Sequence, residues 1–216
     1  MIKAAIFDMD GLLIDSERII MQACIQAAKE IGIVYTQTEF VDLIGRASAD
    51  SSRMMAEQLG GLENLSRVGE RVDAILAQHN HVFPLKPGVK PLLEYYKRQN
   101  IVCSVASSSS HQHIQHRLSH VNVLDYFRHT TSGQEVSKGK PNPDIYLLAI
   151  EKLGFTAKDC IAFEDSEQGA RAAIAAGLKV IVVPDLKEPS QFVEENSFKV
   201  LDSLNHALAM PDLIKC

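Results

Sequence analysis

Apolar and polar positions follow two different rhythms along this chain. A short apolar run at the start, Ala4-Ala5-Ile6-Phe7, breaks at Asp8-Met9-Asp10-Gly11. An unbroken apolar run ended by a turn signal reads as a strand buried on both faces, as inside a parallel sheet. The rhythm then turns helical. Ile19, Ile20, Ala23, Cys24, Ala27, Ala28 and Ile31 recur at helical spacing behind the caps Asp15 and Ser16, and Gly32 closes that helix. Thr36-Gln37-Thr38-Glu39 is a capping box that opens a second, short helix through Phe40, Leu43 and Ile44. A third helix spans about 50–59 and a fourth carries Val68, Val72, Ile75 and Leu76, with no strand pattern between them.

Pro84 and Pro87-Gly88 mark the exit from this block. A helix over 89–99 and a β-branched strand over 101–106 follow. Next come a helix after Ser110, a short strand near 128–131, a helix over 143–153 and a strand over 160–163. A helix over 166–176 leads to a strand over 179–183. Such alternation predicts an α/β fold, a parallel sheet with helices on both faces. The tail after Pro184 predicts one more short strand near 198–201 and a closing helix. Two domains are expected: residues 1–15 and 84–216 as the sheet core, and 16–83 as an all-helical insert.

Composition changes this picture little. With 216 residues, 46% of them hydrophobic and 23% charged, the chain has material for a real core, and disorder is not expected. A net charge of −5 leaves no footprint for nucleic acid, although one cleft can still be basic. Cys24, Cys103, Cys160 and Cys216 are widely spaced, and three lie in apolar runs, so they read as small buried hydrophobes. No apolar stretch approaches a membrane span, and Asp8 and Asp10 interrupt the only N-terminal run a signal peptide would use. A cytoplasmic protein is expected.

The strand ends carry the chemistry. In a strand, residues two apart share a side, so Asp8 and Asp10 can converge at the carboxyl edge of the sheet, where α/β folds bind ligands. Taken alone, the pair is equally an acidic turn. The strand over 101–106 runs into Ser107-Ser108-Ser109-Ser110, a phosphate-binding hydroxyl cluster or a plain helix N-cap. Gly139-Lys140-Pro141-Asn142-Pro143-Asp144 holds a lysine in a stiff loop, placed to neutralise a phosphoryl oxygen or simply solvated. The strand over 160–163 ends in Glu164-Asp165-Ser166, oxygen ligands suited to Mg²⁺ or an acidic cap.

Taken together and in this order, D-x-D-G, the serine-ended strand, G-K-P-x-P-D and E-D-S-x-x-G resemble the four motifs of the haloacid dehalogenase-like (HAD) phosphohydrolase superfamily. The likeness covers essentially the whole chain and is greatest to the β-phosphoglucomutase-like branch of small-molecule phosphatases. It implies a Rossmann-like sheet of order 5-4-1-2-3 with a helical cap inserted after the first strand. It further implies Asp8 as the nucleophile that becomes an aspartyl-phosphate, and Asp10 as general acid and then base. Mg²⁺ would be held by Asp8, the Asp10 carbonyl, Asp165 and Glu164. Ser107, Ser108 and Lys140 would bind the phosphoryl group, with Ser107 and Lys140 also counted as catalytic. The expected substrate is a small phosphorylated metabolite, a sugar phosphate or a nucleotide-related ester. The oligomeric state stays open, with a monomer favoured.

Specificity is expected in the helical insert. Gly45-Arg46 falls where this branch places a specificity loop, so Arg46 either reaches the substrate or is solvated; Glu17, Arg53 and Lys86 are weaker candidates. Two rival readings remain. A phosphomutase of the same branch would carry histidine where Ile20 stands and arginine where Ser48 stands. A non-catalytic HAD-fold binding protein would have no need of Asp8, Asp10, Lys140 and Asp165 together. His111, His113, His116 and His120 share one helix but sit among Gln112 and Gln115, which suggests an exposed polar face rather than a zinc site. Met54 and Met55 read as helix core.

Overall fold

The structure is a computed structural model that describes residues 1–44 and 48–210. Its contacts divide the chain into two compact units, one of Met1–Asp15 with the chain from Pro84 onward, the other of Ser16–Phe83.

The Ser16–Phe83 unit is helical: α1 (Ser16–Glu30), α2 (Gln37–Val41), α3 (Ser48–Gln58) and α4 (Leu62–Ala77). The capping box forms as its sequence predicts, with Thr36 N–H donating to Glu39 Oε2 at 2.7 Å. Cys24, Ala27 and Ala28 of α1 bury against Leu59 and Val68, and Ile20, Met55 and Val72 pack around them. Met55 and Ile20 are thus partly buried against the unit's own core.

The other unit is a parallel sheet. β1 (Ala4–Phe7), β2 (Val102–Ser107), β3 (Phe127–Ser132), β4 (Cys160–Glu164), β5 (Lys179–Val182) and β6 (Lys199–Val200) lie in the order β3-β2-β1-β4-β5-β6. This is the expected 5-4-1-2-3 order with β6 added outside β5. The addition has a local cause: Phe198 N–H and Leu201 N–H donate to Val180 O and Val182 O, both at 2.8 Å, so the tail covers the edge that β5 would expose. α5 (Val89–Arg98), α6 (His111–His120), α7 (Asp144–Leu153), α8 (Glu167–Ala175), α9 (Gln191–Asn196) and α10 (Leu204–Leu208) complete the unit. The sequence pattern misses α9, which is too short for periodicity to register. It is fixed by Ser190 Oγ accepting from Val193 N–H and by the buried Val193. Among the described residues no helix is long and apolar enough to cross a membrane.

Every residue of β1 is fully buried, as its unbroken apolar run predicts. On one face Ile6 joins Tyr146 and Ala149 of α7. On the other Phe7 stacks on Phe163 at 4.8 Å, with Tyr96 and Phe127 packed around the pair. Aromatic pairs of this kind contribute about 1 kcal/mol each beyond area burial. The register then sets the chemistry. Phe7 lies opposite Val105 of β2 and Phe163 of β4, so one residue further on Asp8 is level with Ala106 and Glu164. Asp8 N–H donating to Phe163 O at 3.0 Å pins that alignment.

Candidate active site

Asp8, Glu164 and Asp165 converge at this carboxyl edge, with ligand oxygens all within 4.8 Å of one another. All are buried, Glu164 completely. Lys140 reaches them from the loop before α7: its Nζ donates to Asp8 Oδ1 and Glu164 Oε1, both at 2.6 Å, and to Ala106 O at 3.2 Å. Tyr146 Oη also donates to Glu164 Oε1. The second Glu164 oxygen accepts from Asp165 N–H and Ser166 Oγ, each at 3.2 Å. Glu164 is thus held on every side.

Two glycines make room for these carboxylates. Gly11 has φ +84°, and a Cβ there would collide with the Asp165 carboxylate. Gly169, in the first turn of α8, would drive a Cβ into the Glu164 carboxylate. The D-x-D-G and E-D-S-x-x-G motifs therefore supply the space as well as the acids.

Of the three buried carboxylates, Lys140 meets two, Asp8 and Glu164. Burial pushes the Asp8 carboxyl up to about 8 from its ordinary 3.8, despite Lys140, and Glu164 and Asp10 add to the rise. Burial alone would lower Lys140, but its ion pairs with Asp8 and Glu164 outweigh that and hold it above its ordinary value. A hard divalent cation fits this donor set: oxygen ligands only, buried and closely spaced.

The serines divide their work. Ser107, the last residue of β2, is buried and its Oγ accepts from Ser109 N–H at 3.1 Å. Ser110 is the N-cap of α6, accepting from His113 N–H. Ser108 is exposed, with its backbone packed on Gly133. Ser109 Oγ donates to Asp10 Oδ2 at 2.8 Å, and Arg117 Nη1 donates to Asp10 Oδ1 at 2.7 Å. Thus the Asp10 carboxylate faces Ser109 and Arg117, while Asp8 faces Lys140.

Sequence reasoning does not reach Arg117 or Tyr146, and it places Ser109 in the hydroxyl cluster without its bond to Asp10. Ser109 is one of four adjacent serines, Arg117 sits 107 residues from Asp10, and Tyr146 reads as the apolar face of α7. Of the weaker candidates, Lys86 pairs with Asp185, and Arg53 pairs with Asp50 at 2.8 Å on an exposed face. Gly45 and Arg46 lie outside the described residues. On α6, His111 pairs with Glu135 at 3.1 Å and His120 Nδ1 lies 3.0 Å from His116 O.

Comparison with known proteins agrees with this geometry. Residues 5–183 match the family model described as haloacid dehalogenase-like hydrolase. The chain belongs to this family. A HAD-like hydrolase, it is 32% identical to the phosphorylated carbohydrates phosphatase of Thermotoga maritima over 198 residues, which cover 89% of this chain and 90% of that one. It is 34% identical to hexitol phosphatase B of Escherichia coli over 186 residues, 85% and 84% of the two chains. Among solved structures it is similar to CbbY from Rhodobacter sphaeroides in complex with phosphate. There the TM-score is 0.72 and the identity 27%, covering 94% of this chain and 95% of that one.

Proposed function

We propose that this HAD-like hydrolase is a Mg²⁺-dependent phosphatase acting on a small phosphomonoester, with sugar and sugar-alcohol phosphates the leading class. The convergence of Asp8, Lys140, Glu164 and Asp165, with Asp10 two residues beyond the nucleophile, carries the reading. The phosphorylated-carbohydrate and hexitol phosphatases among its relatives support the substrate class.

In this reading an Asp8 carboxylate oxygen attacks phosphorus, and the ester oxygen departs with a proton from Asp10. Water then attacks the aspartyl-phosphate while Asp10 takes its proton, which restores both acids. Lys140 offsets charge on Asp8 and on the phosphoryl group, and Ser107 and Ser108 bind phosphoryl oxygens. A divalent cation held by Asp8, Glu164, Asp165 and the Asp10 carbonyl would supply further charge neutralisation. Glu164 also fixes Lys140, since both accept their position from the same ion pair. Residues 1–15 and 84–216 form the catalytic core in this assignment, and the helical unit 16–83 acts as the cap that carries specificity, Gly45 and Arg46 included.

The test is phosphate release from a panel of phosphorylated metabolites. Chelation should abolish turnover and Mg²⁺ should restore it. Ca²⁺ should restore it poorly, because it takes more ligands at longer distances. Full activity in excess chelator would overturn the metal assignment.

A further inference from the structure

We propose that Arg117 is a positioning residue for Asp10. It would orient the carboxylate that handles the leaving-group proton without itself touching the substrate. The inference rests on the phosphatase reading above, and adds to it a residue that lies in none of the four motifs.

Asp10 is 28% exposed in its side chain and follows the end of β1, beyond the ladder that fixes Asp8. A short side chain there samples several rotamers unless something selects one. Each of its oxygens is engaged: Oδ1 by Arg117 Nη1 at 2.7 Å, and Oδ2 by Ser109 Oγ at 2.8 Å. The same Nη1 lies 3.5 Å from Ser109 Oγ, so the three groups form a closed triangle. The guanidinium is delivered from a rigid element. Ile114 and Leu118 of α6 are fully buried, Ser110 caps the helix, and the Arg117 side chain is only 13% exposed. A charge-assisted bond from such a support is stronger and better directed than one from a loop. Since proton transfer needs its donor within hydrogen-bond reach of the departing oxygen, a carboxylate free to rotate loses rate rather than affinity.

The discriminating measurement is kcat/KM for two substrates with saturating Mg²⁺, because this constant reports the steps through leaving-group departure. A sugar phosphate needs its leaving oxygen protonated, whereas p-nitrophenyl phosphate needs little help. Arg117→Ala should lower kcat/KM for the sugar phosphate about ten- to hundredfold, and for p-nitrophenyl phosphate less than about threefold. Arg117→Lys should recover part of the loss, since it keeps the charge without the planar fork. Asp10→Asn should show the same selectivity more strongly. Equal loss on both substrates in Arg117→Ala, or a rise confined to KM, would overturn the proposal while leaving Asp10 as the acid. Absence of leaving-group selectivity in Asp10→Asn would overturn the acid role and the proposal with it. If Arg117→Ala does not fold, Arg117→Lys and Ser109→Ala carry the same test, each with a smaller selective loss expected and none overturning the proposal.

Discussion

At the scale of single residues, Asp8 combines two demands that conflict. As the proposed nucleophile it must be ionised, yet burial raises its carboxyl to about 8. The sign of the linkage follows. A carboxyl whose pKa is higher folded than unfolded binds its proton more tightly in the fold. Its contribution therefore costs the metal-free protein stability as pH rises from about 4 towards about 8. A neutral amide escapes that cost. Asp8→Asn should accordingly melt at the same temperature as the parent or higher, in chelator at pH 8, while phosphate release falls about a thousandfold or more, as expected when a nucleophile is removed. Thermal melting and phosphate release measured on one preparation check both halves. A variant that kept a tenth of parental turnover would show that Asp8 is not the nucleophile.

At the scale of elements, the carboxyl ends of the strands explain why so much of the site is legible in the sequence. The ends of β1 and β4 and the loop before α7 each gather their chemistry into a contiguous stretch, so D-x-D-G, E-D-S-x-x-G and G-K-P-x-P-D stand out without any knowledge of the fold. Strand pairing then sets the two acidic stretches level, as Phe7 opposite Phe163 sets Asp8 beside Glu164. What stays hidden arrives from helix interiors. Arg117 follows a run of histidines and glutamines that suggests solvent, and only the packing of Ile114 and Leu118 turns it towards Asp10. Tyr146 hides for the opposite reason, because an apolar helix face gives no sign that one hydroxyl on it donates to Glu164. Helix α8 tests how far the element serves the site. Intrinsic propensity favours alanine over glycine at Gly169 by about 1 kcal/mol. The added Cβ would strike a Glu164 carboxylate pinned by Lys140, Tyr146 and Ser166. Overpacking of about 1–3 kcal/mol should outweigh the gain. Gly169→Ala should thus lower both the melting temperature and the phosphatase activity; a rise in melting temperature with activity intact would show that Glu164 is not held as described.

At the scale of the whole molecule, the choice is between a phosphatase and a sugar phosphomutase, since both would begin with the same half-reaction. In either reading Asp8 would take the phosphoryl group and Asp10 would protonate the leaving oxygen, and the sheet unit holds both residues together with Lys140, Glu164 and Asp165. The two reactions diverge in what the aspartyl-phosphate meets next. A mutase must keep it from water until a sugar hydroxyl returns, which demands a cationic anchor for the distal phosphate and a brake on Asp10. In this chain Ile20 stands where the mutase pattern has histidine, and it packs, partly buried, against the core of the helical unit, with no group to hydrogen-bond. Ser48 stands where the pattern has arginine, and a hydroxyl cannot grip a phosphate as a guanidinium fork does. Asp10, meanwhile, is already oriented by Ser109 and Arg117 within the sheet unit itself. Nothing in that triangle waits on a returning sugar, so water should win. Given β-glucose 1-phosphate with a trace of glucose 1,6-bisphosphate, the enzyme should release free phosphate or do nothing, with no appreciable glucose 6-phosphate. A coupled glucose-6-phosphate dehydrogenase assay reads this directly, and sustained glucose 6-phosphate without phosphate release would establish the mutase in its place.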